Sequence, residues 1–354
     1  MSGHMQALMY LDRGMLALEQ APVPICGDDD ILVEVKAAGI CGADLHWQSG
    51  AFSSDHPFIL GHEFCGIVCQ KGSRVSDRWK IGDRVVSDNT GDACGKCPAC
   101  LRGDYAHCHH RVTIGGGMDG GFAKYCRIPG SILQLNPNGL MQLPEGISFE
   151  EGAIMEPAAN AYRAVVQEAR VRPGDTVVIA GLGPLGLFSL QIAKAAGASR
   201  IICLGMKSDM EKRFPLAELF GATHLIVSEE TNVPDRVIEI VGDACVDVVL
   251  DAAGAPSVMN EAMEYLKHDG VFVRIGNPPA QYNYSLVPLI DKQITVIGHM
   301  GYNPVCWSKV MQMVKNGQLD LKSMIGTVLP LQEYEKAYRL MKTGQVAKAV
   351  LIPD

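Results

Sequence analysis

The chain has 354 residues, 47% of them apolar and 20% charged, with a formal net charge of −8. That length points to two domains, and the apolar fraction to a sizeable buried core. The acidic balance speaks against a nucleic-acid-binding protein, which needs a basic face, and no stretch is long and apolar enough to span a bilayer.

Residues 5–150 read as β-rich. The runs 31–40, 65–72 and 83–88 alternate or are β-branched, and Gly, Pro and Asp punctuate them. From residue 151 the texture changes. The run 152–169 has apolar residues at helical spacing. Then 176–181 reads as a buried strand, followed by a helix, a second strand at 200–205, a helix to Gly221 and a third strand at 223–228. The runs 247–254, 270–276 and 295–299 continue the series. Strand alternating with helix at this spacing predicts a parallel sheet covered on both faces. The tail carries helical patterns near 305–317 and 331–343 and a closing strand at 347–353.

The first residues lack the charged and apolar regions of a secretory signal. The expected compartment is therefore the cytoplasm, where thiols stay reduced. The twelve cysteines are then read as metal ligands or as buried small hydrophobes, the latter for Cys65, Cys69, Cys203 and Cys245. The strongest single pattern is Cys94, Cys97 and Cys100 followed by Cys108. Four thiolates with short gaps suit a closed, structural zinc; a disulfide pair is the blander explanation. A second cluster is Cys41, His62 and Glu63, with Glu156 further on. Cys, His and carboxylate together suit zinc, and three protein ligands with an open position mark a catalytic site.

Gly181, Gly183 and Gly186, with Pro184 and Leu185 between them, follow a strand and open a helix. In that context the pattern binds a dinucleotide pyrophosphate at the helix N-terminus. The acid expected at the end of the second strand to grip a ribose diol is missing. Gly205 stands near there instead. Lys207, Lys212 and Arg213 are available to a 2′-phosphate, or lie on a solvated helix face, and Asp209 is available to the diol.

With these motifs the sequence resembles the zinc-containing medium-chain alcohol dehydrogenases, in their polyol (sorbitol-type) and threonine dehydrogenase branch. The match runs nearly end to end through AAGICGADLH (37–46), Gly61-His62-Glu63, GDRV (82–85), the cysteine quartet, DGGFAKY (119–125), Glu156-Pro157, GLGPLG (181–186) and AKAVLIP (347–353). The resemblance implies an α/β protein: a GroES-like β-rich catalytic domain, residues 1–155 completed by 299–354, and an inserted Rossmann doubly wound parallel-sheet domain, residues 156–298. It implies a secondary alcohol, most simply a polyol or sugar alcohol, oxidised to a ketone or the reverse. Amino-alcohol and sugar-phosphate substrates stay open. It implies two zinc ions per chain, a homodimer or homotetramer, and Cys41, His62 and Glu63 as zinc ligands. Glu156 is either a fourth ligand or the group bonded to the zinc water. Asp44 orients a ligand, and His46 matches the family's relay histidine. Trp47 and Tyr302 fall where sorbitol-type enzymes line their pocket, and His299 stands where a small residue is usual. NAD is the first expectation from the branch and NADP the second. The family commonly has Ser or Thr where this chain has Ala43, so the usual hydroxyl proton relay is absent. A zinc-free reductase of the same superfamily would lack Cys41, His62 and Glu63. A non-catalytic scaffold or a zinc-ribbon nucleic-acid binder would share some of these motifs. The intact dinucleotide loop opposes both, and the acidic charge also opposes the second.

Overall fold

The computed structural model describes residues 3–136, 138–242, 246–276, 283 and 285–354. Cys245 lies outside them.

The first sheet is organised around strand Ile31–Gly39, which is buried along almost its whole length. A strand covered on both faces needs an apolar run rather than an alternating one, and ILVEVKAAG supplies it. The order across the sheet is Leu140–Gln142, Arg84–Ser87, Glu63–Lys71, Ile31–Gly39, Lys348–Ile352 and Ile325–Pro330, and Tyr125–Ile128 pairs with the start of the central strand. The tail therefore supplies two strands of this sheet. One of them, Ile325–Pro330, carries no strong signal in the sequence.

Register in this sheet has a chemical consequence. Gly39 pairs with Glu63 on one side and with Val350 on the other. A Cβ on Gly39 would stand 2.7 Å from Glu63 Oε2. The missing side chain makes room for that carboxylate.

The second sheet is parallel throughout. Its order is His224–Val227, Arg200–Gly205, Thr176–Ala180, Val246–Asp251, Leu266–Arg274 and Thr295–Gly298. This is the doubly wound order whose switch point lies beside the first strand, and ligands bind in the crevice there. The strand read at 270–276 starts earlier, at Leu266.

The helical run at 152–169 is broken. A short helix Phe149–Ala153, closed at its start by a Ser148–Glu151 capping box, ends at Ile154. A second helix starts at Glu156, with Pro157 in its first turn, where the missing N–H costs nothing. It widens into a π-helical stretch, Arg163–Glu168. The break puts Glu156 at a helix start facing the junction of the two sheets. Among the described residues no helix is long and apolar enough to cross a membrane.

Candidate active site

Cys41 caps the helix Gly42–Gln48, which leaves the end of the central strand. His62 and Glu63 sit where the neighbouring strand begins. One ligand atom from each of Cys41, His62 and Glu63 lies within 4.8 Å of the other two. Glu156 is not a member of that close set.

Asp44 is fully buried. Its Oδ2 accepts the Cys41 N–H at 2.8 Å, and its Oδ1 lies 3.8 Å from His62 Nδ1. With the donors alone, burial works against a charged His62, but the Cys41 thiolate and Asp44 outweigh it and raise the imidazole well above its ordinary range. Burial also raises the Cys41 thiol. An anion-rich buried set of S, N and O donors beside a space kept clear by Gly39 fits a dication of the zinc type.

A residue the sequence reading missed completes the cluster. Lys348, buried on the tail strand, places Nζ 2.7 Å from Glu63 Oε1 and 2.6 Å from Oε2. It stands inside the closing AKAVLIP motif, where nothing marks it as different from a surface lysine.

Glu156 is held by two amides. Asn89 Nδ2 donates to its Oε1 at 2.8 Å and Asn160 Nδ2 to the same oxygen at 3.0 Å. Neither bond reaches Oε2. Burial, with Glu63 nearby, lifts its pKa to about 7.

Cys41, Ala43, His46, His62, Glu63, Glu156, Asn160 and His299 line one cleft of about 460 Å³, together with Gly183, Pro184, Leu185 and Gly186 of the second domain. The metal-type donors and the dinucleotide loop therefore open onto the same space. Phe52, Ile275 and Met300 give it apolar walls. The His299 ring is tied down, with Nδ1 2.8 Å from Glu168 Oε2 and Nε2 3.4 Å from Asn160 Oδ1. Trp47 and Tyr302 are not brought into this lining. Trp47 packs on Tyr10, Phe52 and Phe58. Tyr302 is buried against Trp307, and its hydroxyl accepts the Asn89 N–H at 3.2 Å.

The three glycines of the dinucleotide loop divide the work. Gly181 has φ +89°, and a Cβ there would press on Ala253. Gly183 faces open space, and a Cβ on Gly186 would land on the Gly181 carbonyl oxygen. These are a tight turn, an open approach for pyrophosphate and a close helix–strand packing. At the end of the second strand, a Cβ on Gly205 would collide with the Phe214 ring. Asp209 is buried, accepting from Met206 N–H at 2.8 Å and from Arg213 at 3.0 Å. Arg213 also reaches the carbonyls of Met341 and Val346. Asp209 and both terminal nitrogens of Arg213 are thus engaged within the protein. Lys207 is exposed; its Nζ lies 3.4 Å from Glu230 Oε1, and its N–H donates to Glu229 Oε2 at 2.6 Å.

The cysteine quartet forms a separate lobe. Ligand atoms of Cys94, Cys97, Cys100 and Cys108 all lie within 4.8 Å of one another. The amides of Cys94, Cys100 and His110 donate to sulfurs of the set at 3.3, 3.5 and 3.4 Å. Backbone donors from Lys96 and Cys97 lower the Cys94 thiol to about 6, while burial pushes Cys100 up to about 12. Four converging sulfurs with N–H groups aimed at them fit a structural zinc. Elsewhere, Cys65 and Cys203 are buried and Cys69 is half-buried.

Comparison with known proteins agrees with this geometry. Residues 27–138 match the alcohol dehydrogenase GroES-like domain, and residues 184–316 match the zinc-binding dehydrogenase domain. The zinc-type alcohol dehydrogenase-like protein YdjL of Escherichia coli is 36% identical over 337 residues, 94% of each chain. The sorbitol dehydrogenase of Halalkalibacterium halodurans is 31% identical over 354 residues, 99% of each chain. A zinc-binding dehydrogenase of Sinorhizobium meliloti, solved bound to NADP, superposes with a TM-score of 0.88 at 30% identity, over 99% of this chain and 100% of that one. The chain belongs to the zinc-containing medium-chain alcohol dehydrogenase family and is an NAD(P)-linked oxidoreductase of that family.

Proposed function

We propose that this dehydrogenase interconverts a polyol-type secondary alcohol and its ketone, with NADP as the preferred hydride carrier and zinc held by Cys41, His62 and Glu63. The observation that carries this reading is the single cleft shared by those three donors and the loop Gly183–Gly186. The sorbitol dehydrogenase relative supports a polyol as substrate class.

Zinc held by Cys41, His62 and Glu63 would make a carbinol hydroxyl easier to deprotonate, and a nicotinamide cofactor held by the glycine loop would supply the hydride chemistry. The chain supplies the positions. Asp44 and Lys348 fix His62 and Glu63 from behind. Ala43 offers no hydroxyl to carry the proton outward, and Glu156 and His46, which line the cleft, take that role in this reading. Both amides bond Oε1 of Glu156, which leaves Oε2 outside their clamp as the oxygen to take that proton. Glu156 is read as a proton carrier rather than a fourth ligand, since it stands outside the close donor set.

Support for NADP over NAD comes from the second strand. Phe214 leaves Gly205 no room for a diol-gripping acid, and Asp209 is spent on Met206 and Arg213. Lys207 can exchange a weak exposed ion pair for a 2′-phosphate.

The test is a panel of sugar alcohols and secondary alcohols with both cofactors, before and after chelation, with zinc measured in the same samples. Polyol turnover abolished by chelation is the expected result. Full turnover after complete removal of zinc, or in Cys41→Ser protein, would refute the metal role.

A further inference from the structure

We propose that Asn89 and Arg111 are positioning residues: they hang the Glu156 carboxylate from the four-cysteine lobe, so that order in that lobe is a condition for catalysis. The inference rests on the proton-carrying role given to Glu156 above.

The lobe is the loop of a two-stranded stem. Thr90–Asp92 runs antiparallel to Val112–Ile114, with Thr90 opposite Thr113 and Asp92 opposite Val112. Cys94 through Cys108 lie between these strands. Asn89 stands at the foot of the stem, before its first strand, and Arg111 at its lobe end, before its second, from where its side chain reaches back to Asn89. The Arg111 N–H donates to the Cys108 carbonyl at 3.0 Å, and the Ile114 N–H donates to the Asn89 carbonyl at 2.9 Å. Whatever fixes the cysteines also fixes the register of these two residues.

From there the contact runs to the cleft. The Arg111 guanidinium donates to Asn89 Oδ1 at 2.5 Å. That bond decides which way the Asn89 amide points. With its oxygen held by a cation, it presents Nδ2 to Glu156 Oε1, in a buried hydrogen bond of 2.8 Å. Flipped, the amide would place oxygen against oxygen, and out of water nothing would compensate the lost bond. A second line backs the other amide. Asp104, also in the lobe, holds Arg163 at 2.9 Å, and Arg163 holds Glu168 at 3.0 Å. Glu168 holds His299 at 2.8 Å, and His299 faces Asn160 Oδ1. Both donors on Oε1 are thus oriented from the lobe, and Oε2 is left outside the clamp.

A loosened stem lets the amides turn and the carboxylate swing. Displacement of a reacting group by about 1 Å can lower a rate by roughly 10²-fold. Arg111→Ala is therefore expected to lower kcat for polyol oxidation by at least about tenfold, with KM changed less than about threefold and zinc content unchanged. Arg111→Lys is expected to restore part of the rate. In a Glu156→Gln background, Arg111→Ala is expected to change kcat less than about twofold, because the group it positions is gone. Cys97→Ser protein that keeps its cleft zinc is expected to lose kcat to a similar degree, with no added loss from Arg111→Ala. A kcat for Arg111→Ala within about twofold of the parent, or the same fold-loss in the Glu156→Gln background, overturns the proposal. If Arg111→Ala fails to fold, Asn89→Ser and Arg111→Lys carry the same test. If the parent turns over no polyol, the functional reading fails instead. The tether is then read by a thermal-unfolding cycle between Arg111 and Glu156, where strictly additive shifts count against it.

Discussion

Replacement of Lys348 by Met tests the electrostatics of the cleft. Lys348 and Glu63 are both fully enclosed, and Nζ touches both carboxylate oxygens, at 2.6 and 2.7 Å. Neither group has water to turn to. Methionine fills the space of the lysine stem but leaves the Glu63 charge uncompensated. Breaking a buried pair from one side costs about 3–5 kcal/mol, a large part of the roughly 5–15 kcal/mol that holds a domain folded. The loss is read by urea unfolding followed through tryptophan fluorescence on chelated, zinc-free protein, because zinc on Glu63 would itself compensate the charge. The same substitution in a Glu63→Gln background is the comparison that isolates the charge. There it is expected to cost at least about 2 kcal/mol less, because the group left behind is neutral. Lys348→Met protein within about 1 kcal/mol of its parent would falsify the assignment of Lys348 as the counter-ion of Glu63. So would an equal cost in both backgrounds.

Three further outcomes follow from the geometry. The parent is expected to hold two zinc ions per chain and Cys97→Ser one, with a lower unfolding temperature, by elemental analysis and calorimetry; two ions in the variant would disprove the four-sulfur site. Lys207→Ala is expected to lower kcat/KM for NADP about tenfold, about 1.4 kcal/mol, and to leave that for NAD within about twofold; equal losses for both cofactors would remove Lys207 from the 2′-phosphate site. Burial raises the Asp30 carboxyl, but hydrogen bonds from Arg127 at 2.9 Å, Gly130 at 2.8 Å and Gly27 at 3.2 Å outweigh it and bring it below its ordinary value of 3.8. Its contribution is thus complete above that value and lost as pH falls through the lower folded one, so Asp30→Asn is expected to flatten the loss of stability below pH about 4; an unchanged acid limb in thermal scans would show that other carboxylates set it.

The motifs that could be read from the sequence are those whose partners are near in the chain. The Gly181–Gly186 loop needs a strand just before it and a helix just after, and the cysteine quartet closes over fifteen residues or so. The alternating pattern from Thr176 onward carries its own sheet order, because a crossover helix between parallel strands leaves few other arrangements. Tail strand Ile325–Pro330 escaped, since its side chains are alternately half-buried and exposed, and the run 152–169 read as one helix because at Ile154–Met155 the bonding tightens to three-residue turns without interrupting apolar spacing.

What could not be read has partners far away. Lys348 meets Glu63 across 285 positions, Glu156 meets Asn89 across 67, and Asn89 meets Arg111 across 22. No periodicity links such pairs, because sheet register and the packing of helix and loop against the sheets bring them together. A one-residue slip between Ile31–Gly39 and Glu63–Lys71 would turn Glu63 to the opposite face and break the donor set at once. The same limit explains the residues read by position that the cleft does not include. Tyr302 and Trp47 are near the right places in the chain, but helix phase at Trp47 and the irregular segment that carries Tyr302 turn their rings into the packing beside the cleft. Asp209 shows the converse. An acid four residues past Gly205 looks free for a ribose in one dimension, and in three it is the cap of the turn that follows the strand. A motif therefore predicts which chemistry a segment can do, and the register of its neighbours decides which of its side chains are free to do it.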